Sequence, residues 1–192
     1  MNADRRRSLI IAFVLFAPFC GYFSVSAQRI GPGWVWQNPL PQGNQLNAIH
    51  FAKDKLTGFA VGADNSILYT RNGGFSWQQQ AFSENVSFSS VFTKDAKNAV
   101  IVGARGTILT TDNAGELWKA IAVDTRDRLA AVTFVAGNQV GWTVGTYGRI
   151  LKTLDGGRIW KTQNTGTKEH LSKITALDEK NAVAVGTNGI VL

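Results

Sequence analysis

The chain has 192 residues, of which 44% are hydrophobic and 17% charged, and a formal net charge of +7. That balance excludes an extended disordered chain and fits one ordinary domain, or part of a larger all-β one. A single Cys (Cys20) excludes an intrachain disulfide framework and a Cys-based zinc site, and two distant His (His50, His170) leave little for a His metal site.

In chain order, residues 1–27 read as a secretory signal. Arg5, Arg6 and Arg7 form a basic start, Leu9 to Phe19 an apolar run broken by Pro18, and Val25-Ser26-Ala27 a small-residue site for cleavage after Ala27. The run is short for a spanning helix, which needs about 20 residues. Arg6-Arg7 resembles a twin-arginine signal only loosely, and Phe19 before Cys20 argues against a lipoprotein site. Loss of this segment removes three Arg and Asp4, leaving about +5, neither Cys nor Met, and no stretch long enough to span a membrane. The expected location is the periplasm or the exterior.

From residue 28 onward the chain repeats. Val61-Gly62, Val102-Gly103, Val144-Gly145 and Val185-Gly186 each end a short apolar run, with Gly spacings of 41, 42 and 41. Trp77, Trp118 and Trp160 each follow by 15 residues, and Trp36 lies 41 before Trp77. Four short β-rich pieces fill each unit, the first beginning at Ile49, Val91, Val132 and Ile174. These features predict an all-β fold: a β-propeller of four-stranded antiparallel blades, about four units of 41–42 residues. The units are expected over about 46–79, 88–120 and 129–162, with an incomplete one over 171–192 and the outer strand of a closing blade near 34–38.

Between the third and fourth pieces lies the pattern Thr-x-(Asp/Asn)-x-Gly-x-x-Trp. Its copies are Thr70 to Trp77 with Asn72 and Gly74, Thr111 to Trp118 with Asn113 and Gly115, and Thr153 to Trp160 with Asp155 and Gly157. Asp or Asn bonds nearby turn N–H groups, Gly permits positive φ, and Trp is expected to pack beneath the turn.

This turn resembles the Asp-box, or BNR repeat, of sialidases and other propellers. Together with Trp36-Gln37-Asn38-Pro39-Leu40-Pro41, Gly58-Phe59-Ala60-Val61-Gly62 and Ile67-Leu68-Tyr69-Thr70, the unit resembles the photosystem II stability/assembly factor family. The resemblance covers residues 34–192 and implies a secreted or lumenal seven-bladed propeller. Phototroph members help assemble the photosystem II reaction centre through an Arg-rich surface; in such a host the thylakoid lumen is the implied location. Asn72 and Asn113 depart from the Asp of the box, and Ala114 replaces a Gly. Seven blades would need about 290 residues at this period, so the chain reads as a partial seven-bladed propeller; the alternative is a four-bladed ring closed by the 34–38 strand. Open sheet edges would permit self-association.

Antiparallel strands put alternate loops on one face. The turns joining second to third strands share a face with the connectors between units, and this face carries the binding candidates Arg105, Arg126, Arg128, Tyr147 and Arg149. A guanidinium cluster suits a carboxylate, so the expected partner is a protein or an acidic peptide segment. A sialidase-like hydrolase is the alternative, suggested by Tyr147 beside Arg149, but the Glu base and Asp acid that chemistry needs cannot be assembled from the carboxylates available. No catalytic residue, cofactor or metal is assigned, and scattered, modest charge argues against nucleic acid. His50, alternating with Ile49 and Phe51, reads as a packed or channel-lining residue, and His170 as a solvated one.

Overall fold

A computed structural model describes residues 28–31, 34–36 and 43–192. The leader expected over 1–27 and most of the Trp36–Pro41 motif lie outside them. Three antiparallel sheets of four strands follow one another in chain order. The first holds β3 (Leu46–Phe51), β4 (Gly58–Gly62), β5 (Ile67–Thr70) and β6 (Gln78–Gln80). The second holds β7 (Phe88–Thr93), β8 (Ala99–Gly103), β9 (Ile108–Thr111) and β10 (Lys119–Ala120), and the third β11 (Leu129–Phe134), β12 (Gly141–Gly145), β13 (Ile150–Thr153) and β14 (Lys161–Gln163). A last sheet pairs β15 (Leu171–Ala176) with β16 (Ala182–Gly186), and a Val185–Val191 bridge begins its third position. This is the blade order of an open, partial propeller.

Among the described residues no ring-closing pairing is made. β2 (Trp34–Trp36) pairs with β1 (Gln28–Gly31) in a sheet of two strands, not with β15–β16. Only Pro32 and Gly33 separate these partners in sequence, so pairing them closes a far shorter loop than pairing across the repeats.

First strands begin three residues earlier than their apolar alternation suggests, at Leu46, Phe88, Leu129 and Leu171. A bulge after each of these residues shifts the pairing, so the period-two pattern breaks there. The bulge also accounts for the Val-Gly signature. A Cβ on Gly145 would sit 2.0 Å from the Arg128 carbonyl oxygen, and one on Gly186 2.0 Å from that of His170. The next residue's N–H then closes the strand end: Thr146 donates to the Arg128 carbonyl at 2.9 Å and Thr187 to that of His170 at 2.8 Å.

The core lies between sheets. Every residue of β8 is buried, and its side chains alternate. Ala99 and Ile101 join Phe59, Val61 and Ile67 of the first sheet, whereas Val100 and Val102 join Leu129, Val132 and Leu151 of the third. Burying each such Val, Leu or Ile contributes about 1.5–3 kcal/mol. His50 stitches the first two sheets: its Nδ1 accepts the Thr93 N–H at 3.0 Å, its carbonyl accepts the Thr93 hydroxyl at 2.8 Å, and its ring stacks on Phe92 at 4.5 Å. It is a packed residue.

Candidate binding face

Hydrogen bonds sort the loops into two ends. At one end the Trp-bearing turns bond to the loops between first and second strands: Gly73 N–H to the Leu56 carbonyl, Ala114 to Lys97, and Gly156 to Gln139, at 2.8–2.9 Å. At the other, the second-to-third turns bond to the inter-sheet connectors. Gly106 N–H donates to the Asp127 carbonyl at 2.9 Å and Gly148 to that of Glu169 at 2.7 Å.

The Trp-bearing turns are built alike. The Gly157 N–H donates to Thr153 Oγ1 at 2.9 Å, the Thr153 hydroxyl donates to Asp155 Oδ1 at 2.8 Å, and Asp155 Oδ1 accepts the Arg158 and Ile159 N–H groups at 3.0 Å. The carboxyl of Asp155 is held below its ordinary range; burial opposes the shift, and the N–H and hydroxyl donors outweigh it. Asn113 fills the same place, accepting the Thr111 hydroxyl at 2.9 Å and the Leu117 N–H at 3.0 Å. Asn72 does so with the Thr70 hydroxyl and the Ser76 N–H, at 2.9 and 3.0 Å. One amide oxygen therefore serves where the carboxylate would.

Trp160 sits beneath its own turn, with Nε1–H donating to the Gly157 carbonyl at 3.0 Å and its ring edge-on to Phe134. Trp118 differs. Its Nε1–H donates to Gln80 Oε1 of the preceding sheet at 3.2 Å, because the Gln80 amide reaches across to donate to the Ala114 carbonyl at 2.8 Å. Sequence reasoning also missed Lys94, whose ammonium donates to the Gly156 carbonyl and lies 4.2 Å from the Phe134 ring centroid. Burial lowers its pKa to about 8. The only sequence signal was a Lys at the end of a buried strand.

The opposite end carries all five binding candidates, and the structure divides them. Arg105, in the β8–β9 turn, is exposed, with one long bond of 3.4 Å from Nη2 to the Asn85 carbonyl. Arg126 and Arg128 are exposed in the β10–β11 connector, and Arg128 Nε donates to Ser89 Oγ at 3.0 Å. Among the described residues these three guanidinium groups form no ion pair. Arg149 is different: Nε and Nη2 both donate to Asp127 Oδ2, at 2.9 and 2.7 Å, and both side chains are partly buried. Its charge is already met.

Tyr147 is 65% exposed. Its N–H donates to His170 Nδ1 at 3.1 Å, and its ring meets that imidazole edge-on at 5.2 Å. His170 is exposed, as expected, and also anchors the turn. Glu169, passed over in the sequence, is also engaged: Oε2 accepts the Thr187 hydroxyl at 2.7 Å and the Asn188 amide at 2.9 Å, and these donors hold its carboxyl below the ordinary range. Three unpaired guanidinium groups thus stand on this face among acidic neighbours, Asp64, Glu84 and Asp124, that also form no ion pair among the described residues.

The repeat matches a known group. A family model described as photosynthesis system II assembly factor YCF48 matches residues 33–127 and 116–192. The chain belongs to the YCF48 family. A structure of YCF48 bound to D1 peptide superposes with a TM-score of 0.62 at 22% identity, covering 77% of this chain and 50% of that one. YCF48 from Cyanidioschyzon merolae superposes with a TM-score of 0.61 at 25% identity, covering 79% and 53%. The chain thus spans about half the length of these YCF48 structures. An ancestral GH74 enzyme shares the fold more distantly, with a TM-score of 0.54 at 14% identity over 77% of this chain and 25% of that enzyme. No curated protein matches the sequence.

Proposed function

We propose that this YCF48-family chain is an exported, non-catalytic assembly factor that holds an acidic segment of a partner protein. The segment lies against the face bearing Arg105, Arg126 and Arg128. The observation that carries this reading is the set of exposed, unpaired guanidinium groups there. Asp127 and Glu169 are committed to donors within the fold, while three exposed guanidinium groups form no ion pair among the described residues. Planar guanidinium forks suit carboxylates. A peptide-bound YCF48 structure supports a peptide as the form of the partner. In a photosynthetic host the partner would belong to photosystem II and the location would be the thylakoid lumen; elsewhere the location is the periplasm or the exterior.

Fluorescence anisotropy with a labelled Glu-rich peptide tests the binding. Arg105→Ala plus Arg126→Ala should weaken binding about tenfold or more; unchanged affinity would remove the basic face from the account. Arg149 is spent on Asp127 and Tyr147 packs on an imidazole, so the hydrolase alternative has no support here. A fluorogenic sialoside should show no turnover. Export predicts that the mature protein recovered from a secreting host begins at Gln28; an intact Met1 would contradict it.

A further inference from the structure

Each sheet passes from its second to its third strand through the same four-residue turn. The fourth residue's N–H closes on the first residue's carbonyl: Ser66 on Ala63 and Thr107 on Ala104 at 3.0 Å, Arg149 on Thr146 and Ile190 on Thr187 at 3.1 Å. Both central residues are left-handed in every copy. Their φ values are 48° and 64° for Asp64 and Asn65, 56° and 69° for Arg105 and Gly106, 56° and 67° for Tyr147 and Gly148, and 53° and 72° for Asn188 and Gly189. This is the type I′ hairpin turn, which favours Asn-Gly or Asp-Gly because other side chains crowd the backbone at positive φ.

Asn188-Gly189 follows that preference and Asp64-Asn65 comes close. Arg105 and Tyr147 depart from it at the same position of adjacent sheets. Arg105 recovers little of the loss inside the fold, and Tyr147 only an edge-on ring contact with His170. Arg105 is exposed with a single 3.4 Å bond, and Tyr147 is 65% exposed with its one bond to His170 made by the backbone N–H, which any residue but Pro supplies. Side chains retained in disfavoured backbone on an open face point to recognition.

We infer that Arg105 and Tyr147 are the specificity-determining pair of this face, reading a carboxylate and a flat apolar side chain of one bound peptide. The inference rests on the acidic-peptide reading above. Packed sheets lie about 10 Å apart, so equivalent turn positions on neighbours are separated by about that distance. A peptide in the polyproline II form covers about 9 Å in three residues and returns to the same side. The matching segment therefore carries an acidic residue and, three positions away, an aromatic or proline ring.

The test combines thermal unfolding with anisotropy on the parent, Arg105→Asn, Arg105→Ala and Tyr147→Asn. The probes are labelled Pro-rich peptides with Glu and Phe three residues apart, and the same peptides with Gln for Glu or Ala for Phe. Arg105→Asn should raise the unfolding midpoint by about 2–4 °C yet weaken Glu-peptide binding about tenfold and abolish the preference for Glu over Gln. Arg105→Ala should weaken binding equally without that gain. Tyr147→Asn should raise the midpoint less, since it loses the His170 contact, and should abolish the preference for Phe over Ala. A lowered midpoint for Arg105→Asn, or parent-like discrimination in both Asn variants, overturns the inference while leaving the basic face standing. A parent protein that binds none of the probes overturns both.

Discussion

Single residues show where the fold spends stability and where it is open to improvement. Ala114 occupies the left-handed position filled by Gly73 and Gly156 in the sister turns, with φ of 60°. A Cβ there costs about 1 kcal/mol, so Ala114→Gly should raise stability by about that much in denaturant melts. His50 makes a prediction about pH. Burial pushes its imidazole below the ordinary value, and Nδ1 must remain unprotonated to accept the Thr93 N–H. As pH falls below about 6.5, the unfolded chain takes up a proton that the folded chain resists, so stability is lost on acidification. The parent's unfolding midpoint should fall from about pH 6.5 downward, and His50→Gln should flatten that limb. An identical slope in both would place the acid sensitivity elsewhere.

At the scale of the element, the Val-Gly strand ends carry the heaviest constraint. A methyl on Gly145 has only backbone to displace, 2.0 Å away, so Gly145→Ala should cost about 3 kcal/mol or more, read as a lowered denaturation midpoint with an unchanged slope. Much of this architecture was legible in the sequence because the repeat is strong. The 41- and 42-residue spacing of the Val-Gly pairs marks the four sheets from β3 onward, that of Trp77, Trp118 and Trp160 the three complete ones, and the Thr and Asp/Asn positions mark every Trp-bearing turn. First-strand starts were less legible: Asn47, Ser89, Ala130 and Ser172 follow the bulged start of each strand and break the alternation that reveals it. The partner of β2 was hidden as well, because a Trp at repeat spacing says nothing about which neighbour it pairs with.

For the whole molecule, the sorting of loops between two ends follows from antiparallel order and was readable before the structure. Which cations remain unpaired was not. Arg149 and Arg126 look alike in sequence, yet only Arg149 has a carboxylate placed against it by a 22-residue separation in the chain. That difference predicts separable effects. Arg149→Ala should destabilise the protein, since it strands the partly buried Asp127 carboxylate, and should change peptide affinity little. Arg126→Ala should leave stability unchanged and weaken binding. Exposed charges govern the encounter, so affinity should also fall as salt rises. The most direct measurement is the affinity of the purified chain for a Glu-rich peptide at low and high salt, with Arg105→Ala plus Arg126→Ala and Arg149→Ala alongside. Salt-sensitive binding lost in the double variant and kept in Arg149→Ala is the predicted result. Equal binding by all three proteins, or a loss confined to Arg149→Ala, would contradict the account.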